Sequence, residues 1–493
     1  MPADSPTAQP TRIPHRPGSY RELLAIAVPL MLSAATQSLM HVIDRVYLTW
    51  HSRDELAAAL PAGILYWSCL SLPFGIASYV NTFVAQYDGA GKPDRVAASV
   101  WQGVYFAIGV GSLLTLAAPF ADVVFAAIGH GEKIARMEAI YFRWLCLGGI
   151  PAVLHTVLSA FYSGRGRTNI VLAVNVFCVA INAFLDYAFI FGWGPIPEWG
   201  IAGAAMTDTL GEFLACLILG ALILAPSTNK LYPFRSEWKF DLGLQRDIFK
   251  FGGPSGLQMF IDVAGFAAFM MIIGWIGERE LAATNIAFNL NTLAFIPVIG
   301  VGIAVSTLVG QRIGEGRPEL ATASTWKGFS LAGGYMLAFG AAYTLLPQLL
   351  IAPYAAKADA AEFADIRETV VVLLRFVAVY SFFDAMAIVF GSAIRGAGDT
   401  RFAMIASGSS AWLLLVLPTY GVWRWYGPNL LWSWTFCSAY VICLGFVYVA
   451  RFQQGAWRSM NVIHRGEDES DVAAGENPPE NRELAVEPAS AAL

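Results

Sequence analysis

Residues 84–94 read VAQYDGAGKPD, and residues 309–319 read VGQRIGEGRPE. The second phrase begins 225 residues after the first, and the register persists downstream, where Ala98, Ser99, Trp101 and Gly103 meet Ala323, Ser324, Trp326 and Gly328. Upstream, Pro29 meets Pro254, ELAA at 55–58 meets ELAA at 280–283, and Gly75 meets Gly300. A fainter echo follows at an offset of 232, where SGRGRTN (163–169) faces IRGAGDTR (394–401) through Gly164, Gly166 and Thr168. The chain is an internal duplication, so the architecture of one half is the architecture of the other. In each phrase the glycines (Gly89, Gly91, Gly314, Gly316) suit a tight turn with left-handed backbone, and Pro93 and Pro318 suit the first turn of a following helix. The phrase predicts a helical hairpin, structural in role, with Lys92 and Arg317 adding positive charge.

The fold class follows from what surrounds these hairpins. Of 493 residues 56% are hydrophobic, and the mean hydropathy of +0.55 exceeds what a water-soluble core needs. A membrane-spanning helix takes about 20 mostly apolar residues. Twelve such stretches are predicted, roughly at 23–48, 58–86, 96–118, 136–162, 169–192, 199–225, 247–275, 281–310, 322–350, 369–394, 403–425 and 430–450. Runs such as FVAVYSFFDAMAIVFGSA (376–393) are continuously apolar, unlike the alternating strands of a membrane barrel. The expected fold is an all-α membrane protein of two six-helix lobes. Because six is even, both lobes enter the membrane from the same side, as parallel repeats about an axis along its normal, an arrangement used by transporters.

The predicted organisation is a polar N-terminal segment (1–22), an N-lobe (23–225), a linker (226–246), a C-lobe (247–454) and an acidic, disordered tail (455–493). The loops on the side of the termini hold most of the basic residues, among them Lys92, Arg95, Arg165, Arg167, Lys230, Arg235, Lys239, Arg312, Arg317, Arg395, Arg401 and Arg451. The opposite side has few, such as Arg53, Lys133, Arg279 and Arg424. The positive-inside rule then places both termini in the cytoplasm. The N-terminal segment lacks the pattern of a cleaved secretory signal. All six cysteines lie within apolar stretches without metal or disulfide spacing. No nucleotide loop of the G-x-x-x-x-G-K-[ST] type, no H-E-x-x-H and no G-x-S-x-G is present, so neither an ATP-driven pump nor an intramembrane hydrolase is indicated, and no cofactor or nucleic-acid partner is expected. A monomer in the bacterial inner membrane is expected.

Carboxylates inside the predicted spans carry the functional signal, because an ionised group deep in lipid costs about 2.5–3.5 kcal/mol on insertion scales unless it meets water or a partner. They are Asp44, Asp186, Asp208, Glu212, Asp262 and Asp384. Through the repeat Asp44 pairs with Phe269, Asp262 with Gln37, Asp384 with Ala152 and Asp186 with Pro418, so the scaffold is duplicated and the acids are not. On the fifth span Asn175, Asn182 and Asp186 form one stripe. Asp208 and Glu212, four residues apart, can attract cations or simply mark an exposed outer mouth. Asp384 can instead pair with a base such as Arg375 or Arg143. Pro73 and Pro297, one position apart under the repeat, are expected to bend the second and eighth spans.

The chain resembles the multidrug and toxic compound extrusion (MATE) family of cation-coupled antiporters over residues 25 to 450. The resemblance rests on PLMLSAATQSLMHVID (29–44), VAQYDGAGK, NAFLDYAFIFGWG (182–194), GIAGAAMTD (200–208), GGPSGLQMFIDVAGF (252–266), LVGQRIGEG and IRGAGDT. It implies export of organic cations, drugs or metabolites in exchange for H⁺ or Na⁺, with Asp44, Asn182, Asp186 and Thr207 as the N-lobe cation-coupling network. Asp262, Tyr380 and Asp384 take the corresponding role in the C-lobe, Asp262 standing where the family often has Glu. Arg45 follows Asp44 where a small polar residue is the family pattern. Gln37, Tyr66, Phe74, Phe288 and Phe295 are candidates for the substrate cavity, where aromatic faces meet organic cations. A flippase of lipid-linked saccharides from the wider superfamily is the alternative, disfavoured by the excess of acids over bases within the spans.

Overall fold

The computed structural model describes residues 16–355 and 360–463. Residues 1–15 of the expected N-terminal segment and 464–493 of the expected tail lie outside the described residues. The described chain is helical, and the helices group into twelve spans: α1 (Tyr20–His51), α2 (Arg53–Gly89), α3 (Pro93–Ile128), α4 (Glu132–Leu147 with Gly149–Gly164), α5 (Thr168–Phe191), α6 (Ile201–Leu224), α7 (Leu242–Ile276), α8 (Glu278–Gly314), α9 (Pro318–Leu345 with Pro347–Tyr354), α10 (Asp365–Ala397), α11 (Thr400–Tyr426) and α12 (Leu430–Gln454). Ten of these are single helices long and apolar enough to cross a bilayer; α4 and α9 are bent pairs, by 45° and 77°. Local chemistry sets the ends. Ser19 and Glu22 cap α1 reciprocally, with Glu22 N donating to Ser19 Oγ at 3.2 Å and Gly18 N to Glu22 Oε2 at 2.6 Å. Asp241 caps α7 and Asn429 caps α12. Pro93 and Pro318 open α3 and α9 as expected.

The duplication is visible in the details. α2 and α8 have equal lengths of 37 residues, and both third helices end in a short extra segment, Ala121–Ile128 and Pro347–Ala355. Pro73 and Pro297 both lie inside helix, with α2 interrupted only at Tyr79 and α8 running unbroken. α8 is the most buried span, presenting Ala283, Ala287, Leu290, Ala294, Val298, Val301 and Val305 as a helical stripe to α10, α1 and α9. Large apolar side chains such as Leu113, Leu116, Phe120 and Val123 are exposed on α3, which faces outward.

The repeated phrases do more than turn the chain. Only Gly91 and Gly316 adopt positive φ, at 70° and 73°. Gly89 and Gly314 are helical and sit where the two halves touch: a Cβ on Gly89 would lie 2.1 Å from the Gln311 carbonyl oxygen, and one on Gly314 would lie 2.1 Å from that of Gln86. The glutamines then reach across. Gln86 Nε2 donates to the carbonyls of Gly396 (3.0 Å) and Ala397 (3.3 Å), while Gln311 Nε2 donates to that of Gly164 (2.9 Å). Each copy of the first phrase therefore grips the second echo of the opposite half. Around them Asn81 Nδ2 donates to Thr307 Oγ1 at 3.1 Å, Tyr79 Oη to the Arg395 carbonyl at 2.9 Å, and Arg312 pairs with Glu22 and Glu315. Gly75 and Gly256 pack backbone to backbone between α2 and α7. Among the described residues these hydrogen bonds and closest approaches between the halves fall toward one end of the bundle, the end that carries the termini.

Two expected boundaries shift. α7 begins at Leu242, so the linker is shorter, and it is a packed strap. Tyr232 and Phe234 are buried against Phe161, Trp101 Nε1 donates to the Phe234 carbonyl at 2.9 Å, and the Arg165 guanidinium lies 4.0 Å over the Tyr232 ring. Burial, with the Asp88 carboxylate nearby, pushes the Tyr232 hydroxyl above its usual range, so it remains a donor to Asp88 at 2.5 Å. The segment after Gly455, counted in the disordered tail, is ordered as far as Val462. Trp457 is fully buried and stacked on Phe452, and Val462 N donates to Gln86 Oε1 at 2.9 Å.

Candidate functional site

The N-lobe acids come together as α1, α5 and α6 pack side by side. Asp44 is buried on α1, and Asp186 and Thr207 are fully buried on α5 and α6. The Thr207 hydroxyl lies against Asp186 Oδ1 and its own helix's carbonyls at Gly203 (3.0 Å) and Ala204 (2.8 Å). Asp44 and Asp186 are close enough to interact electrostatically, an arrangement that two bare carboxylates oppose and a proton or cation between them relieves. Asn182 is buried between them and the rest of the α5 stripe, where Asn175 Nδ2 donates to Ser33 Oγ at 2.6 Å. Several buried polar atoms here have no hydrogen-bond partner among the described residues: Asp44 Oδ1, Asp186 Oδ2, both amide atoms of Asn182, and Asn175 Oδ1. Leaving such an atom unpaired costs about 1–3 kcal/mol. The carboxylate and amide oxygens among them can accept from a protonated group or ligate a cation.

Arg45 is exposed, about a quarter turn round α1 from Asp44, and makes no ion pair with an acid among the described residues, although its charge still reaches Asp44. His41 approaches more closely, its Nδ1 3.9 Å from Asp44 Oδ2, with its side chain 62% exposed.

The C-lobe acids have separate surroundings. Asp262 on α7 accepts from Ser407 Oγ of α11 at 2.6 Å, with Gln258 one turn away and Arg395 bonded to Gln258 at 3.5 Å. Asp384 on α10 makes no hydrogen bond or ion pair among the described residues, and Tyr380 is buried one turn before it. The alternative pairing is overturned, because Arg143 binds Asp122 at 2.5 Å and Arg375 is exposed. Tyr440 of α12 lies within electrostatic reach of both acids.

Glu212 is half-buried and bonded to His155 Nδ1 of α4 at 2.6 Å. Of the cavity candidates, Phe288 and Phe295 are half-buried and packed against the C-lobe core, with Phe288 stacked on Trp434 at 4.9 Å. Gln37, Tyr66 and Phe74 are half-buried, with Phe74 5.5 Å from Trp67. Ser407, Gln258, Tyr440 and His155 escape the sequence reading, since a partner on a distant helix leaves no spacing signal; for His155, only the Asp208/Glu212 spacing hinted at a polar layer.

The chain resembles known proteins at this same level. It is 25% identical over 457 residues to the probable multidrug resistance protein NorM of Thermotoga maritima, covering 91% of this chain and 95% of that protein. It is 30% identical over 398 residues to the probable multidrug resistance protein NorM of Burkholderia mallei, covering 78% and 82%. Its fold matches a multidrug resistance MATE family transporter of the MOP superfamily in an outward-facing conformation, with a TM-score of 0.81 and 18% identity over 89% of this chain and 97% of that one. It also matches a MOP superfamily transporter from Pyrococcus furiosus, with a TM-score of 0.79 and 19% identity over the same shares. The MatE family model matches residues 29–188 and 254–420, one stretch in each duplicated half, and the chain belongs to that family.

Proposed function

We propose that this protein is a secondary transporter that exports small organic cations or metabolites across the bacterial inner membrane in exchange for H⁺ or Na⁺, by alternating access and without a cofactor. The observation that carries the reading is the buried Asp44, Asp186, Thr207 and Asn182 group with its unbonded oxygens, a site for a positive guest enclosed in one lobe. The seam closed at the end of the termini, which basic loops assign to the cytoplasm, supports an outward-facing state. A cation arriving from outside loads the N-lobe acids, the lobes rock about the seam, and the substrate competes for negative charge on the return. The membrane potential contributes about 2.3 kcal/mol per charge per 100 mV to inward cation movement. Asp262 and Asp384 act as the C-lobe counterpart, and the chain works as a monomer.

The test is ethidium efflux from proteoliposomes under separately imposed Na⁺ and pH gradients, for the parent and for Asp44→Asn, Asp262→Asn and Asp384→Asn. Asp44→Asn is expected to lose transport under both gradients. Parental rates in all three variants would remove the acids from the mechanism, and the gradient that drives the parent names the coupling ion.

A further inference from the structure

The N-lobe holds a second titratable pair that the resemblance does not assign. His155 stands on the second half of α4, and Glu212 stands midway along α6. Nδ1 of His155 and Oε2 of Glu212 are 2.6 Å apart, and His155 is only 8% exposed. Its other ring nitrogen, Nε2, is buried and makes no hydrogen bond among the described residues. The Asn175 side chain, itself buried, is close enough to interact with the ring, and its Oδ1 also lacks a donor among the described residues. Asn175 is the member of the α5 stripe nearest the closed end, seven residues before Asn182 and eleven before Asp186, so the pair lies at the inner end of a polar line that begins at Asp44 and Asp186.

We propose that His155 and Glu212 form a second proton-binding centre of the N-lobe, which holds the coupling proton between its loading at Asp44 and Asp186 and its release on the side of the termini. The inference rests on the proposed cation coupling and specifies the ion and its second station. One proton is shared between Nδ1 and Oε2, and Nε2 offers a lone pair for one more. Taking it up converts the pair from a net charge of −1 to zero, and giving it up reverses the step, so no other reactant is needed. The other titratable groups around the pair are Asp208 and Cys216 of α6, Cys178 of α5 and Tyr66 of α2, with His41 and Asp44 of α1 facing Asp208. Asp208, one turn from Glu212 and with an unbonded buried Oδ1, links the pair electrostatically to Asp44 and Asp186.

The experiment measures ethidium efflux from proteoliposomes of the full chain as a function of pH, for the parent, Glu212→Gln, His155→Asn, the double variant carrying both, and Asp44→Asn. Both Glu212→Gln and His155→Asn preserve a hydrogen bond between α4 and α6, which keeps the packing, and monodisperse elution confirms it. The pair reading expects each variant to move the pH midpoint of efflux by about one unit, and the double variant to match the singles, since the two residues act as one centre. Parental midpoints in both single variants overturn it, whatever Asp44→Asn does. Parental transport by Asp44→Asn instead overturns the proposed coupling site and leaves the pair to be judged by its own profiles.

Discussion

Gly89 and Gly314 show how a single absent methyl group decides a contact between halves. A Cβ on Gly314 meets the Gln86 carbonyl oxygen at 2.1 Å, against backbone that has nowhere to go, whereas a Cβ on Gly91 meets nothing within 4 Å. Overlap with packed backbone costs about 1–3 kcal/mol or more, and about 1.4 kcal/mol is tenfold in a population. Gly314→Ala is therefore expected to open the seam and cut efflux by about tenfold. Gly91→Ala, strained only by its positive φ, should cost about 1 kcal/mol of stability while transport continues. Efflux rates and melting temperatures of the two variants separate these outcomes. From sequence alone the four glycines look equivalent, because their composition and spacing report a turn; which of them turns and which makes room depends on a helix far along the chain. The acids tell the same story. Asn182 and Asp186 share a stripe that periodicity reveals, while the Ser407 hydroxyl at Asp262 and the His155 ring at Glu212 come from other helices.

The helices themselves were almost fully legible, since the bilayer demands long apolar runs and the chain supplies them between polar hairpins. Segments without that demand were read less well. The strap at 226–241 looks like a polar linker, yet its Tyr232 and Phe234 fill a socket floored by Phe161, and carbonyls of the strap accept from Trp101 and Gln102. Two aromatic residues in a charged stretch are too weak a pattern to announce docking. Tyr232→Phe keeps the ring and removes only the donor to the half-buried Asp88. It should lower stability by about 1–3 kcal/mol, seen as a lower melting temperature in detergent, with efflux retained. An unchanged melting temperature would show that the bond to Asp88 adds nothing to the ring packing that seats the strap.

At the scale of the whole molecule, the two lobes share a frame and divide the chemistry. Contacts between halves gather at one end, so motion about that seam is the movement open to the structure. Ala85 and Gly310 face each other there, with an added Cβ at Gly310 lying 2.9 Å from that of Ala85. After a slight separation this suits a disulfide, whose Cβ atoms stand about 3.5–4.5 Å apart. In a background freed of the six native cysteines, Ala85→Cys with Gly310→Cys should cross-link under mild oxidant, stop efflux, and recover it on reduction. Transport that continues while the bond is intact would show that the seam stays shut throughout the cycle.

The reciprocal grip of Gln86 and Gln311 has one more implication. Each half offers both the hand and the handle, so the joined surfaces are self-complementary in the way of an isologous twofold dimer. In such a pair each contact is made twice, so a change at one glutamine removes half of the grip and leaves its counterpart in place.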